Sequence, residues 1–307
     1  MKYESSFKSE ADNLEISIMA VIPDKKPYRA VVQLVHGMSE HKERYLPFMQ
    51  YLAKSGYVTV IHDHRGHGKS VKYQDDLGFT YGGGAQAMLQ DIRTVNRKIH
   101  AYYPELPLIL MGHSMGSLAV RAFVAEHDSC ADMLIVCGSP SYNTAMSLGV
   151  AIAKTEKAVF GPRHRSKLIE TMSFGAGAMK FRKDKRCTAW ICSNPDVAKE
   201  YEESELCGFT FTDDAYLALF ELMKRAYDVE HFSCTNPDMP VLFVSGAEDP
   251  CLINVRHFAK TVRAMRHAGY RDVKGKLYPG MRHEILNEIG KEQVYHDIAV
   301  YMRKKGF

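Results

Sequence analysis

No stretch of this 307-residue chain holds eighteen consecutive apolar residues, so no segment is long enough to cross a bilayer as a helix. The first ten residues, Met1 to Glu10, scatter charges along the segment and lack the apolar core of a secretory leader. The seven cysteines are odd in number and form no C-x-x-C pair, which fits a reducing cytoplasm better than a disulfide framework. A net charge of +4 is too small at this length for a nucleic-acid footprint. No internal repeat or low-complexity tract is evident. These absences lead us to expect a soluble cytoplasmic protein with no nucleic-acid partner. What is present is a 46 % hydrophobic fraction, enough to fill a core, in a chain whose length suits an α/β core with an inserted cap.

The pentapeptide Gly112-His113-Ser114-Met115-Gly116 follows the apolar run from Leu106 to Met111 and precedes a helix-like stretch through Glu126. It reads as a nucleophile elbow, a strained strand-to-helix turn that exposes a serine hydroxyl. Glycines two positions either side remove side chains that would crowd the serine. A serine hydroxyl is a weak nucleophile until a histidine takes its proton, and the histidine needs an acid to orient it. Both partners follow in the order Ser, acid, His. Asp249 lies beyond the strand-like run Val241 to Val244, and His283 lies beyond Lys276-Leu277-Tyr278 and a loop. The carboxyl edge of a parallel sheet is where such residues converge. His257, His267 and His296 fall in helix-like segments, which favours His283 as the base. The oxyanion donors expected from this arrangement are the backbone amide of Met115, just after the serine, and that of Met38 in the loop His36 to His41.

Strands are expected over Leu14–Val21, Ala30–His36, Tyr57–His62 and Ala131–Gly138. Helices are expected over Lys42–Lys54, ending at Gly56, and over Ala85–Tyr103, with Met88, Ile92, Val95 and Ile99 on one face and Pro104 as a stop. A last helix from Glu288 to Lys304 would pack through Ile289, Val294, Ile298 and Met302. Residues 140–232 break the alternation and form the candidate helical cap, with residues 1–139 and 233–307 as the core. The cap's apolar stretches run from Met146 to Val159 and from Thr212 to Tyr227, the second opened by Thr212 or Asp213 as N-cap. Such a cap would shelter an acyl chain that a bare sheet edge leaves in water.

At these residues the chain resembles the serine α/β-hydrolases, and within them the monoacylglycerol lipase and lysophospholipase group. Four segments carry the likeness: His36 to Tyr45, Asp63-His64-Arg65-Gly66-His67-Gly68-Lys69-Ser70, the elbow, and the loop of His283. It spans residues 30–140 and 238–300, and Met172 to Gly175 and Leu206 to Phe209 look like the cap of bacterial relatives. The resemblance implies an α/β-hydrolase fold, with a mostly parallel central sheet, helices on both faces and an inserted helical cap. It implies ester hydrolysis through an acyl-enzyme, on a small-molecule acyl ester such as monoacylglycerol or lysophospholipid, without a cofactor or metal. It further implies that Glu40 and Arg44 help form a pocket for a glycerol head. Two positions depart from the pattern: serines stand at 39 and 117 where glycine is usual, and a residue with a side chain resists positive φ.

Several features have plainer explanations. His62-Asp63-His64-Arg65-Gly66-His67 approaches a metallo-hydrolase pattern, but Gly66 stands at the aspartate position, which favours a polar loop. Gly68-Lys69-Ser70 lacks the first glycine of a phosphate-binding loop, since Asp63 stands there. Cys251, two residues past the acid, is either a reactive thiol near the site or a half-buried structural cysteine, the commoner case. Charge in the cap is segregated, with ten basic and three acidic residues over 154–186 and the reverse over 187–232. That suggests either contact with anionic lipid surfaces or, more simply, mutual pairing and solvated helix faces. An aminopeptidase or amidase of the same fold, and a non-catalytic ligand-binding relative, are the alternative functions; aspartate-nucleophile enzymes are disfavoured by the serine in the elbow.

Overall fold

The computed structural model describes residues 1–184 and 186–307. Eight strands, β1 (Lys2–Lys8), β2 (Glu15–Val21), β3 (Val31–Val35), β4 (Val58–His62), β5 (Leu108–His113), β6 (Met133–Cys137), β7 (Val241–Gly246) and β8 (Val273–Tyr278), form one sheet. Their order is β1-β2-β4-β3-β5-β6-β7-β8. β2 pairs antiparallel with β1 and β4, and every other pairing is parallel. The central strands β3, β4, β5 and β6 are buried along their whole length, which is why they read as continuous apolar runs. β1 has one buried residue, Phe7, and so lacks the pattern that marked the others.

Helices cover both faces. Phe48, Met49 and Leu52 of α1 (Leu46–Lys54) and Val294, Ile298 and Met302 of α9 (Lys291–Lys304) pack on one face. α2 (Gly84–Tyr102), α3 (Met115–His127) and α8 (Val255–His267) pack on the other, with Met88, Ile92, Val95 and Ile99 of α2 buried as expected. Two boundaries differ from expectation. Residues Lys42–Tyr45 form a 3₁₀ turn before α1, whose first turn holds Pro47. α9 begins at Lys291 after Gly290 at φ 81°, so Ile289 lies outside it, 66 % exposed, and does not pack on the sheet.

Between β6 and β7 run α4 (Met146–Phe160), α5 (Lys167–Lys180), α6 (Pro195–Glu203) and α7 (Asp213–Tyr227). The two apolar stretches foreseen became α4 and α7. Thr212 is the N-cap of α7, its hydroxyl accepting from the Ala215 amide. Ser166 and Asn194 cap α5 and α6 in the same manner. Sequence order along the sheet reverses at β3: the chain leaves β3 toward β4 on one side and leaves β5 toward β6 on the other. That divergence opens a crevice beyond the carboxyl ends of β3 and β5, where the loop of Met38 and the elbow of Ser114 meet.

Candidate active site

Ser114 sits between β5 and α3 with φ 52° and ψ −119°. A side chain in this region stores about 1–3 kcal/mol of strain, which the surroundings must hold. A hydrogen bond from the Ser114 amide to the Cys137 carbonyl, 3.0 Å, does part of that. The elbow's glycines answer to close backbone approach more than to room around the serine. A Cβ on Gly112 would lie 2.2 Å from the Gly116 carbonyl oxygen, and one on Gly116 would lie 2.1 Å from that of Val35. α3 is thereby pressed against the end of β3.

His283 Nε2 lies 2.8 Å from Ser114 Oγ, and its Nδ1 lies 2.9 Å from Asp249 Oδ2. Asp249 also accepts from the Cys251 amide at 2.8 Å and the Ser245 hydroxyl at 3.1 Å. Gly246 lets the acid and histidine loops touch, since a Cβ there would fall 2.1 Å from the Arg282 carbonyl. Burial alone would push the Asp249 carboxyl up; the His283 imidazole and the hydrogen bonds outweigh it and hold the carboxyl below its usual range. For His283, burial disfavours the charged form, but the Asp249 carboxylate more than offsets this and raises the imidazole well above its ordinary value. A hydroxyl, a strengthened base and an orienting acid in line can transfer a proton as the hydroxyl attacks a carbonyl.

The backbone amides around the serine separate into spent and unspent. Gly37 N–H donates to Glu40 Oε1 at 2.6 Å, Ser39 N–H donates to His67 Nε2 at 3.2 Å, and the Ser114 amide is taken as described. Among the described residues, the amides of Met38 and Met115 donate to no protein acceptor, and both residues line the cavity with Ser114. The Gly37 carbonyl, on the Met38 peptide, accepts from His36 Nδ1 at 2.8 Å. His36 is fixed in that tautomer because its Nε2 accepts the His64 amide at 2.9 Å. In a trans peptide the N–H points opposite to the C=O, so His36 turns the Met38 N–H away from itself. Sequence reasoning missed this part for His36.

Glu40 and Arg44 are placed differently from expectation. Glu40 reaches the cavity wall, but its carboxylate is committed to the Gly37 amide, the Tyr45 hydroxyl at 2.8 Å and Arg44 at 3.1 Å. Burial works against its charge, and His113 and Arg44 still hold it well below the usual carboxylate range. Arg44 does not line the cavity; its guanidinium forks onto Glu284 and lies 5.0 Å from the Tyr201 ring. Through these contacts the pair braces the loop of Met38. His113 of the elbow joins the same brace, lying 3.3 Å from both Glu40 Oε1 and the His283 carbonyl.

The Asp63–Ser70 segment folds as a loop knotted to the core. Asp63 accepts from the Lys42 ammonium at 2.6 Å and from the Lys42 and Lys69 amides, and a Cβ on Gly68 would collide with its carboxylate. Arg65, fully buried, is held by Asp91, Asp12 and Ser9. Cys251 lines the cavity beside Ser114 and His283, and burial pushes its thiol up, which keeps it protonated and favours the structural role. Trp190, not singled out in the sequence, lies 5.3 Å from His283 ring to ring.

Over these groups lies a cavity of about 620 Å³ whose apolar wall includes Met146, Ile169, Phe174, Trp190, Phe220 and Met223. Within the basic stretch 154–186, Lys157 pairs with Asp214, Arg163 with Asp76, and Arg186 with Glu202. Among the described residues no helix is long and apolar enough to cross a membrane.

The family described as Hydrolase_4, serine aminopeptidase S33, matches residues 26–290. The chain belongs to this family. It is similar to a monoacylglycerol lipase of Mycolicibacterium smegmatis, 25 % identical over 280 residues, covering 91 % of this chain and 90 % of the relative. It is also similar to a monoglyceride lipase homolog of Monkeypox virus, 23 % identical over 288 residues and 89 % of each chain. Among solved structures it resembles a thermostable carboxyl esterase from Bacillus coagulans in complex with glycerol. That likeness has a TM-score of 0.92 and 26 % identity, and covers 100 % of this chain and 99 % of the other. The chain is thus a carboxylic ester hydrolase of the α/β-hydrolase fold.

Proposed function

We propose that this family member cleaves lipid-like esters with a neutral, glycerol-type head, monoacylglycerols above all, through an acyl-enzyme on Ser114. The observation that carries the reading is the Ser114–His283–Asp249 line opening into a 620 Å³ cavity with an apolar wall. Ser114 Oγ attacks the ester carbonyl while its proton passes to His283 Nε2. Asp249 stabilises the resulting imidazolium, and the Met38 and Met115 amides receive the oxyanion. His283 then returns the proton to the departing alkoxide, releasing the alcohol. A water gives its proton to His283 as it attacks the acyl-enzyme, and collapse of the second tetrahedral intermediate frees the fatty acid and restores Ser114. In this reading residues 140–232 act as the cap, and residues 1–139 and 233–307 as the core.

Charge in the cavity supports a neutral head. Among the described residues no lysine or arginine lines it, which leaves the phosphate of a lysophospholipid without a partner. The family's description invites an aminopeptidase reading, which calls for a carboxylate ready to bind a free ammonium. Of the cavity-lining carboxylates, Glu40 is engaged by Gly37, Tyr45 and Arg44 and Glu284 by Arg44, which leaves Glu170, bonded to the Thr210 hydroxyl alone, as the one an ammonium would have to use. The similarity to monoacylglycerol lipases and to an esterase in complex with glycerol points the same way.

The test is hydrolysis of a panel of 1-monoacylglycerols, lysophosphatidylcholines, p-nitrophenyl esters and amino-acyl anilides by the wild type and Ser114→Ala. Monoacylglycerols of medium or long chain are expected to be preferred, with turnover lost in the variant. Preference for acetate esters alone, or for anilides, would sink the lipid reading.

A further inference from the structure

The segment Gly208 to Thr212, between α6 and α7, lies along the oxyanion loop, and Ser39 joins the two. The Gly208 amide donates to the Ser39 carbonyl at 3.0 Å, and the Ser39 hydroxyl donates to the Phe209 carbonyl at 2.7 Å. With its amide on His67 Nε2, every polar group of Ser39 is used, two of them on this segment. The rings of Phe209 and Phe211 both lie 5.3 Å from that of His67, so the histidine that receives the Ser39 amide is itself packed against the same segment. The far end is pinned where the Thr212 amide and hydroxyl reach the Gly78 carbonyl at 2.9 and 2.8 Å.

Ser39 has φ 53°, a conformation that glycine adopts freely and a side chain resists. The backbone of the loop therefore keeps the left-handed turn despite the serine, and the hydroxyl bond to Phe209 is what the serine adds in return. The neighbouring peptide is the one that carries the Met38 amide. His36 holds it from one side through the Gly37 carbonyl. Ser39 holds it from the other, and Ser39 in turn is held by segment 208–211.

We propose that Ser39 is a positioning residue through which the docking of segment 208–211 aims the Met38 amide, so that stabilisation of the transition state, and not substrate affinity, depends on this contact. The inference rests on the proposed chemistry, in which Met38 donates to the oxyanion. Closure of the cap onto the oxyanion loop is then a condition of turnover.

The experiment compares wild type, Ser39→Ala, Ser39→Gly and Gly208→Ala, the last placing a side chain at φ 65° to displace the segment from its own side. Each is assayed on a p-nitrophenyl ester. Binding is measured for an alkyl boronic acid, which forms a tetrahedral adduct with the serine, and for an alkyl glyceryl ether, which the serine does not attack. In all three variants kcat and boronate affinity are expected to fall together by about five- to tenfold, the worth of roughly one hydrogen bond. KM and ether affinity should stay within twofold. Ser39→Gly should hold or raise Tm because it relieves the backbone, which separates the effect from instability. Unchanged kcat and boronate affinity in both Ser39 variants, with a lower Tm in Ser39→Ala, would make the hydroxyl merely structural and overturn the inference. Turnover that survives in Ser114→Ala overturns the underlying chemistry; turnover that needs Ser114 but ignores Ser39 overturns this inference alone.

Discussion

Among the described residues, three of the six non-glycine residues with positive φ, Ser39, Ser114 and Ile253, line the cavity, so backbone strain is concentrated where the chemistry would occur. The strain at Ser114 persists because glycines on either side admit main chain that any side chain would push away. Gly116→Ala would set a methyl carbon 2.1 Å from the Val35 carbonyl oxygen, against backbone that cannot rotate aside. We expect that variant to lose activity and most of its soluble yield, and a normally expressed, active protein would refute the packing argument. Asp249→Asn tests the electrostatics. The asparagine keeps the shape but no longer strengthens the base, and kcat is expected to fall by about 10⁴-fold on the precedent of other serine triads. The pH profile supplies the sign. The base must be neutral to act, and Asp249 raises His283, so the acid limb of kcat/KM in the wild type should lie above the ordinary imidazole value near 6.5. In Asp249→Asn the residual activity should show that limb moved down. A limb unmoved by the substitution would mean that another group titrates there.

At the scale of elements, the sequence was legible where one physical signal dominated. β3 through β6 announced themselves as apolar runs because they are buried on both faces, and α2 because its apolar residues recur at helical spacing. The residues of the proposed triad were legible because each follows a strand in a fixed order. β1 was not, since an edge strand with one buried residue has no pattern to show. α5, with Gly175 and Gly177 inside it, has a weak apolar pattern, and α6 is amphipathic but, at nine residues, too short for its pattern to stand out. The pairing of Arg44 with Glu284 was not legible, because Glu284 lies 240 residues away and no local pattern encodes it. One foreseen choice is testable on its own. Thr212, not Asp213, caps α7, so Thr212→Ala should cost about 1 kcal/mol, lowering Tm by a few degrees or less. Asp213→Ala removes no cap bond but does remove the buried contact with His164 at 2.9 Å. The comparison that tests the cap is therefore Thr212→Ser, which keeps the accepting oxygen and should retain most of the stability; a Thr212→Ser as costly as Thr212→Ala would refute the assignment.

At the scale of the whole molecule, four buried histidines behind the site, His36, His62, His64 and His67, meet edge-to-face or tilted with ring centres 4.6 to 6.0 Å apart. Burial pulls all four down, His62 to about 3 and His67 to about 4, with mutual repulsion adding to the effect on His36 and His64. In the unfolded chain each returns to about 6.5. Below that value the unfolded state binds more protons than the folded one, so stability falls as pH falls. Their contribution is complete above pH 6.5 and is lost progressively toward pH 4. Two histidines work in the opposite sense. Burial opposes charge on His41, but its contacts with Cys207 and Glu43 raise it to about 9, and His283 is raised by Asp249. Both already hold most of that stabilisation at neutral pH and have little more to gain on acidification. The four depressed groups therefore set the slope. Thermal unfolding should show Tm dropping steeply between pH 7 and pH 5. In His67→Gln, whose side-chain oxygen can still accept from the Ser39 amide without titrating, the drop should be shallower. A Tm that stays level across that range would show that the cluster is not the origin of acid sensitivity. A steep drop that becomes shallower in His67→Gln would tie the pH range in which this enzyme stays folded to the histidines behind the loop of Met38.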